Sequence, residues 1–389
     1  MRSELRIQQL QLSHSNGRVR YTVDADGNEL WFELPDNITL RCPGDFFVAC
    51  MLLEAMVSDR NIRVAPDIGI SSELSASLFE LQPVYCLWNT KLKETKILAD
   101  NISSIGAVHC GGVSTYSGGI DSSYTLARHL NDISHVVTLN TFEGREQPAE
   151  YQALIRRHSQ VLAQLNVTLI SITSNYRELT ERLRISHQFQ HGIILGALSL
   201  LLGFEKTFIP SGFNATLLYP WGSHPLTDPL WSGNGRNVIH DGPITRVAKT
   251  KYLAANPMLL NNIQVCWKHV IGNCGQCHKC LRTMGALHFF GMQSEALPAL
   301  KDLNLLLTYD VKSEQSVPFV EELALLALNT GHEHIAKKLF RKIDRFWLTF
   351  HLQETIKALT GDTLRKAILK FRGQDWSTYR VRVDDKHPS

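Results

Sequence analysis

The chain has 389 residues, 44% of them apolar and 20% charged, with a formal net charge of +3. That length holds two or three domains with an ordinary globular core, and the charge is too mild to call for nucleic acid. The longest apolar run, Gly192 to Gly203, is too short for a membrane span, and the start Met1-Arg2-Ser3-Glu4-Leu5 has no apolar signal segment. A cytoplasmic protein is expected.

Residues 1–105 read as an α+β segment. Arg18–Val23 and Glu29–Leu34 flank Asp24-Ala25-Asp26-Gly27-Asn28, a hairpin signal. Phe46 to Met56 and Glu73 to Cys86 have helical patterns, and Asn61–Val64 and Lys93–Leu98 look like short strands. No catalytic constellation is visible there. The segment is either a docking or substrate-presenting domain or a structural cap on a sheet.

A different texture begins near residue 106. Val113-Ser114-Thr115-Tyr116 ends a strand, Ser123 to Leu130 reads as a helix, and Ser117-Gly118-Gly119-Ile120-Asp121-Ser122 joins them. Two glycines let the backbone approach a ligand closely. Ser117 and Ser122 add hydroxyls, and the helix dipole favours an anion. Asp121 is an odd neighbour for phosphates unless a divalent cation bridges them, so magnesium is implied. The spacing G-x-x-x-x-G-K-[S/T] is absent, which excludes a P-loop NTPase. A glycine turn capped by Asp and Ser is the plainer alternative.

Strands and helices then alternate in the doubly wound manner: Val136–Asn140, Tyr151–Leu165, Val167–Ile172, Arg177–Leu183, Gly192–Leu202 and Lys206–Pro210. Ligands in such sheets sit beyond the carboxyl ends of the strands, so Ser117 and the Asn140-Thr141-Phe142 turn should share a crevice. The polar stretch from Pro220 to Gly242 is too long and decorated for a plain connector. Trp221 and Trp231 there could sandwich a planar heterocycle, while Ser223, His224, Asp228 and Asp241 read its edge. Taken singly, such loop residues more often make turn hydrogen bonds. Arg246, Lys249 and Lys251 follow at the head of a helix, where cations oppose the dipole and hint at a bound anion. A solvated face is the other account.

Cys266, Cys274, Cys277 and Cys280 are spaced C-x7-C-x2-C-x2-C. Four thiols so placed can close around one tetrahedral, structural zinc, and free or disulfide-bonded cysteines are the alternative. Cys42, Cys50, Cys86 and Cys110 show no motif spacing. The remainder, 291–389, reads as helical, with apolar stripes on Phe319–Leu328, Glu333–Arg345 and Leu352–Leu359. From Gly331 to Gln374 there are ten Lys or Arg against four Asp or Glu, a solvated face or a surface for an acidic partner or RNA. The end, Val383 to Ser389, reads as loose.

The loop Ser117–Ser122 and the cysteine run, in this order, resemble the ATP pyrophosphatases of the PP-loop superfamily, and among them 7-cyano-7-deazaguanine synthase. That family carries S-G-G-x-D-S and C-x8-C-x2-C-x2-C, one residue longer in the first cysteine spacing than here. Arg282-Thr283 and Lys249-Thr250 also look like the family. The resemblance covers roughly 106–290, and the flanking segments 1–105 and 291–389 exceed it. Enlarged relatives are encoded in bacterial antiphage defence systems.

The resemblance implies an α/β fold with a doubly wound parallel-sheet core, a four-cysteine zinc site, an N-terminal α+β domain and a C-terminal helical domain. It implies ATP and Mg2+ on Ser117, Gly118, Gly119, Asp121 and Ser122, with adenine against Asn140 and Thr141. It implies Lys249, or failing it Lys251, on the α-phosphate or leaving pyrophosphate. The carboxylate of 7-carboxy-7-deazaguanine would be adenylated and passed to a nitrogen nucleophile. An amine of a partner protein from the same operon fits the enlarged form; ammonia, giving the nitrile, is the ordinary route, and tRNA thiolation is a more distant relative. A homodimer is left open.

Overall fold

The computed structural model describes residues 2–141, 148–185 and 187–360. Its strands are β1 (Glu4–Ser15), β2 (Arg18–Ala25), β3 (Glu29–Pro35), β4 (Asn61–Val64), β5 (Ile70–Ser71), β6 (Ile97–Ala99), β7 (Ile102–Ser103), β8 (His109–Thr115), β9 (Ile133–Asn140), β10 (Thr168–Ser174), β11 (Phe204–Pro210) and β12 (Asn237–Asp241). Ten form one mostly parallel sheet, ordered β12-β11-β8-β9-β10-β3-β2-β1-β4-β6, while β5 pairs with β7. Strands β8 to β12 are parallel throughout. The chain builds outward from β8 through β9 and β10, then crosses back to lay β11 and β12 on its other side. The carboxyl end of β8 therefore opens where the strand order reverses, the place where open α/β sheets bind ligands.

Both faces of this sheet are covered. Val137 and Ile209 enter one apolar cluster and their neighbours Val136 and Phe208 enter the other, as the two-residue period of a strand requires. The second cluster continues through the cysteine-bearing helix His278–Phe289 into the helices Val317–Asn329 and Glu333–Thr360. Among the described residues no helix is long and apolar enough to cross a membrane.

Segment 1–105 lengthens the sheet instead of stacking upon it. The β2–β3 hairpin forms as its sequence suggests, and β3 pairs antiparallel with β10 through Thr173 with Glu33 and Ser174 with Phe32. Side chains finish this short seam: Asn175 Oδ1 accepts from the Trp31 N–H at 2.8 Å, and Ser174 Oγ donates to the Trp31 carbonyl at 2.7 Å. The helix Pro43–Ser58 lies against His187–Leu202, where Gln190 Nε2 donates to the carbonyls of Ala49 and Cys50. One cluster thus joins Leu5, Phe46 and Phe47 to Ile170 and Leu198. Strands from before and after residue 105 belong to one sheet.

Three elements differ from expectation. Strand β1 is a twelve-residue strand that its glutamine-rich sequence does not announce. The strand expected over Lys93–Leu98 is reduced to Ile97–Ala99. The two final helices read from sequence are one, Glu333–Thr360, along which Phe346 stacks on Phe350 and Trp347 on His351 at i,i+4 spacing across the expected break. The end, 361–389, and Phe142 lie outside the described residues.

Candidate functional site

The chain leaves β8 at Thr115, turns through Ser117-Gly118-Gly119 and enters the helix Ile120–Arg128. Gly118 has a φ of 72°, and a Cβ there would lie 2.6 Å from His158 Nε2, so two independent constraints demand glycine. Ser122 Oγ accepts from the Ser117 N–H at 3.2 Å and donates to the Gly119 carbonyl at 3.3 Å. Ser122 is thus a buried brace of the turn, while Ser117 is exposed. Beneath the loop, His158 is buried, and its Nε2 has no hydrogen-bond partner among the described residues. Burial, then the charge of Arg157, lowers its pKa to about 4, which leaves a neutral ring.

The loop borders a cavity of about 530 Å³. Ser117, Gly119, Ile120 and Asp121 form one side, Thr138, Leu139, Tyr151 and Leu154 another, and Gln264 to Val270 with Lys279, Arg282 and Thr283 a third. Arg246 enters from its own helix, Arg246–Leu253. Among the described lining residues, four carry fixed positive charge (Arg246, Lys268, Lys279, Arg282) and only Asp121 is acidic. Such a chamber attracts polyanions.

Asp121 is held by the chain's own cations. Lys249, 1% exposed, donates from Nζ to Asp121 Oδ1 at 2.9 Å and to the Ser211 carbonyl at 2.6 Å, and Arg246 pairs with the same carboxylate. Burial raises the Asp121 pKa, but Arg246 and Lys249 outweigh it and hold the carboxyl below its usual value. Of the cations at this helix start, read from sequence as a sign of a bound anion, Arg246 and Lys249 pair with Asp121. Thr245 caps the helix, its Oγ1 accepting from the Ala248 N–H at 3.2 Å.

Residues from the last third reach this site. Phe319, on the helix Val317–Asn329, carries the Arg246 guanidinium 4.8 Å and that of Arg282 4.4 Å from its ring centroid. Glu322 accepts from the Val247 N–H at 3.3 Å. Burial pushes its carboxyl up to about 7, against the pull of Arg246.

The four cysteines converge as their spacing suggests: their Sγ atoms lie within 4.8 Å of one another, and Cys277 and Cys280 stand 3.5 Å apart. A tetrahedron of bonds of about 2.3 Å sets sulfurs about 3.8 Å apart, so a zinc ion fits this donor set. Backbone N–H groups of Lys268, Gln276 and Cys277 point at Cys266 or Cys274 sulfur at 3.2 to 3.4 Å, the outer support expected of thiolate ligands. With all four positions filled by protein, such a metal is structural.

Of the residues expected to hold nucleotide, Ser117, Gly119 and Asp121 line the cavity, and Gly118 and Ser122 build the loop behind them. Asn140 and Thr141 are buried beyond the lining pair Thr138 and Leu139. Lys249 sits behind Asp121, and Lys251 lies 5.6 Å from the Phe290 ring, outside the lining. None of the six residues expected to sandwich or read a heterocycle, Trp221, Trp231, Ser223, His224, Asp228 and Asp241, lines this cavity. Trp221 packs between His191 and Phe213, and Trp231 is core, seated on Gly196. Asp228 accepts from Ser223 Oγ at 2.8 Å and the His224 N–H at 3.2 Å, and pairs with His240 at 2.7 Å. Asp241 binds Thr125, Arg128 and His129 behind the helix Ile120–Arg128. These side chains satisfy one another and brace the long connection.

Sequence reasoning passed over Trp267, Lys268 and Lys279 because they sit between cysteines and read as spacers. Their signal was an aromatic and several cations packed between the clustered cysteines. No protein-family model, curated protein or solved structure matches this chain.

Proposed function

We propose that this chain is an ATP-dependent ligase that adenylates a carboxylate and transfers the acyl group to a nitrogen nucleophile. One observation carries the reading: an S-G-G-x-D-S loop at the carboxyl end of the central strand shares a cavity with four cations. The pairing of that loop with a four-cysteine cluster supports a relationship to 7-cyano-7-deazaguanine synthase, and so 7-carboxy-7-deazaguanine as the acid.

In this reading Ser117, Gly119 and the first N–H groups of the helix Ile120–Arg128 take the terminal phosphates. Arg246 and Arg282 face the charge that develops as the α–β bond breaks, and pre-positioned cations cost no reorganisation at that moment. Asp121 is the residue to share a Mg2+ ion, which would neutralise the leaving pyrophosphate. Lys249 acts through Asp121 by fixing its carboxylate. A carboxylate oxygen attacks the α-phosphorus and pyrophosphate leaves. An amine then attacks the acyl carbon, loses a proton, and AMP leaves. Holding both reactants in one chamber makes the first step effectively unimolecular.

The nitrogen donor in this reading is an amine of a partner protein. The support is that Phe319 and Glu322, outside the segment resembling the synthase, stand at the cation cluster. The collection of Cys266, Cys274, Cys277 and Cys280 into one cluster stands against a sulfur-transfer role. The test combines ATP, Mg2+ and 7-carboxy-7-deazaguanine with ammonia or with proteins encoded beside this one. AMP and pyrophosphate are followed by chromatography and acceptors by intact mass. AMP formation with an acyl mass gain on one protein is the expected result. Fast conversion to the free nitrile with no protein modified would replace the acceptor, and no AMP with any acceptor would overturn the reading.

A further inference from the structure

Two arginines that do not line the cavity are buried where segment 1–105 meets the connection 220–242. Arg41 leads into the helix Pro43–Ser58, and its side chain is fully covered. Its Nη2 donates to Glu73 Oε1 at 3.0 Å and to the Ile105 carbonyl, and its Nε to the Gly106 carbonyl at 3.1 Å. Arg236, just before β12, is 4% exposed, and its Nη1 donates to the Ser199 carbonyl at 3.3 Å. Backbone bonds of 3.0 Å in both directions close the turn Gly233–Arg236, which rests on the same acid: a Cβ on Gly233 would lie 3.5 Å from Glu73 Cγ. Three guanidinium nitrogens, Arg41 Nη1 and Arg236 Nε and Nη2, are buried and have no hydrogen-bond partner among the described residues.

Charged N–H groups left dry and unpaired are expensive, so these call for an acceptor. The nearby acids are already committed. Glu73 takes Arg41, and Asp45, wholly buried, accepts from the Ser71 N–H and Oγ at 2.7 Å each. Both acids sit in the first turns of helices, Pro43–Ser58 and Ser72–Trp88, whose dipoles add positive potential of their own. Burial, then the charge of Arg41, lowers the Arg236 pKa to about 10, against the pull of Glu73 and Asp45. A water molecule would accept two of these N–H groups and then have to place its own protons. A monatomic anion accepts all three and answers charge as well.

We propose that Arg41 and Arg236 hold a small inorganic anion of the halide class, which ties segment 1–105 to the β12 end of the sheet. The site is separate from the adenylation reading and stands or falls without it. The probe is chloride, exchanged for gluconate at fixed ionic strength, with melting temperature read on the full chain and on Arg236→Met. Arg63→Met, which removes a cation 39% exposed on β4, controls for general salt effects.

Wild type and Arg63→Met should melt a few degrees higher in chloride, as an ion bound only by the folded state requires, and Arg236→Met should show no chloride increment. Crystals soaked in bromide should give an anomalous peak beside Arg236 Nε. Equal melting of wild type in the two salts, or an increment that Arg236→Met keeps, overturns the site. A bromide map without that peak overturns it too. If Arg236→Met does not fold, the wild-type salt series and the bromide map decide by themselves.

Discussion

Replacing Asp121 tests the cation cluster most directly, because its carboxylate answers two charges at once. Lys249 is 1% exposed and has two oxygen acceptors, Asp121 Oδ1 and the Ser211 carbonyl. Asp121→Asn removes the charge and leaves a buried ammonium with neutral partners only. Breaking a buried ion pair from one side costs about 3–5 kcal/mol. The Ser211 carbonyl and the Glu322 carboxylate near Arg246 soften the loss, so about 3 kcal/mol is expected. Urea unfolding at pH 7 measures it, and the double variant Asp121→Asn/Lys249→Met should regain most of that stability while remaining inactive in pyrophosphate release. The pH dependence has a definite sign. Asp121 has a folded pKa below its unfolded value, so its contribution is present above the unfolded pKa and is lost as pH falls through the folded one. An Asp121→Asn protein within about 0.5 kcal/mol of wild type would refute the argument that this carboxylate holds the buried lysine.

Gly118→Ala should destabilise by about 2–4 kcal/mol from left-handed backbone and overpacking against His158, and His158→Ala in the same chain should relieve only the packing part. Additive single effects in a double-mutant cycle would show that the two residues do not press on each other. Elemental analysis should find one zinc per chain, and Cys277→Ser should lower the melting temperature sharply; a metal-free protein of full stability would remove the zinc assignment. Glu322 has a folded pKa of about 7 against an ordinary 4.5, so the folded protein binds the extra proton and stability from this group falls as pH rises across that window. Glu322→Gln should flatten that slope relative to wild type, and an unchanged slope would count against it. Phe319→Ala should raise KM for ATP several-fold by loosening two stacked guanidiniums, each contact worth about 0.5–1 kcal/mol.

What could be read from sequence was local chemistry. The strand, glycine turn and helix around Ser117 are fixed within a few residues, and cysteines three apart on a helix start must converge. What could not be read was which distant side chains meet. Arg246 and Arg282 share one aromatic ring from the far third of the chain, and nothing near either residue encodes Phe319. In the stretch 220–242 composition did not show that Asp228 already binds Ser223, His224 and His240, or that Asp241 is held by Thr125, Arg128 and His129. Strand β1 escaped notice because its glutamines lack β-propensity, and a register shift between Gln8 and Gln11 breaks its alternation.

A single backbone contact has a wider consequence. The Gln264 N–H donates to the Gly118 carbonyl at 2.7 Å, so the cysteine loop and the glycine turn share a hinge pin. Order imposed on one is inherited by the other, and the exchange must run both ways. If the four cysteines hold a metal and the turn an anion, each ligand would change the affinity for the other by the same factor. The affinity of the cysteine cluster for a metal would then serve as a gauge of whatever occupies the neighbouring chamber.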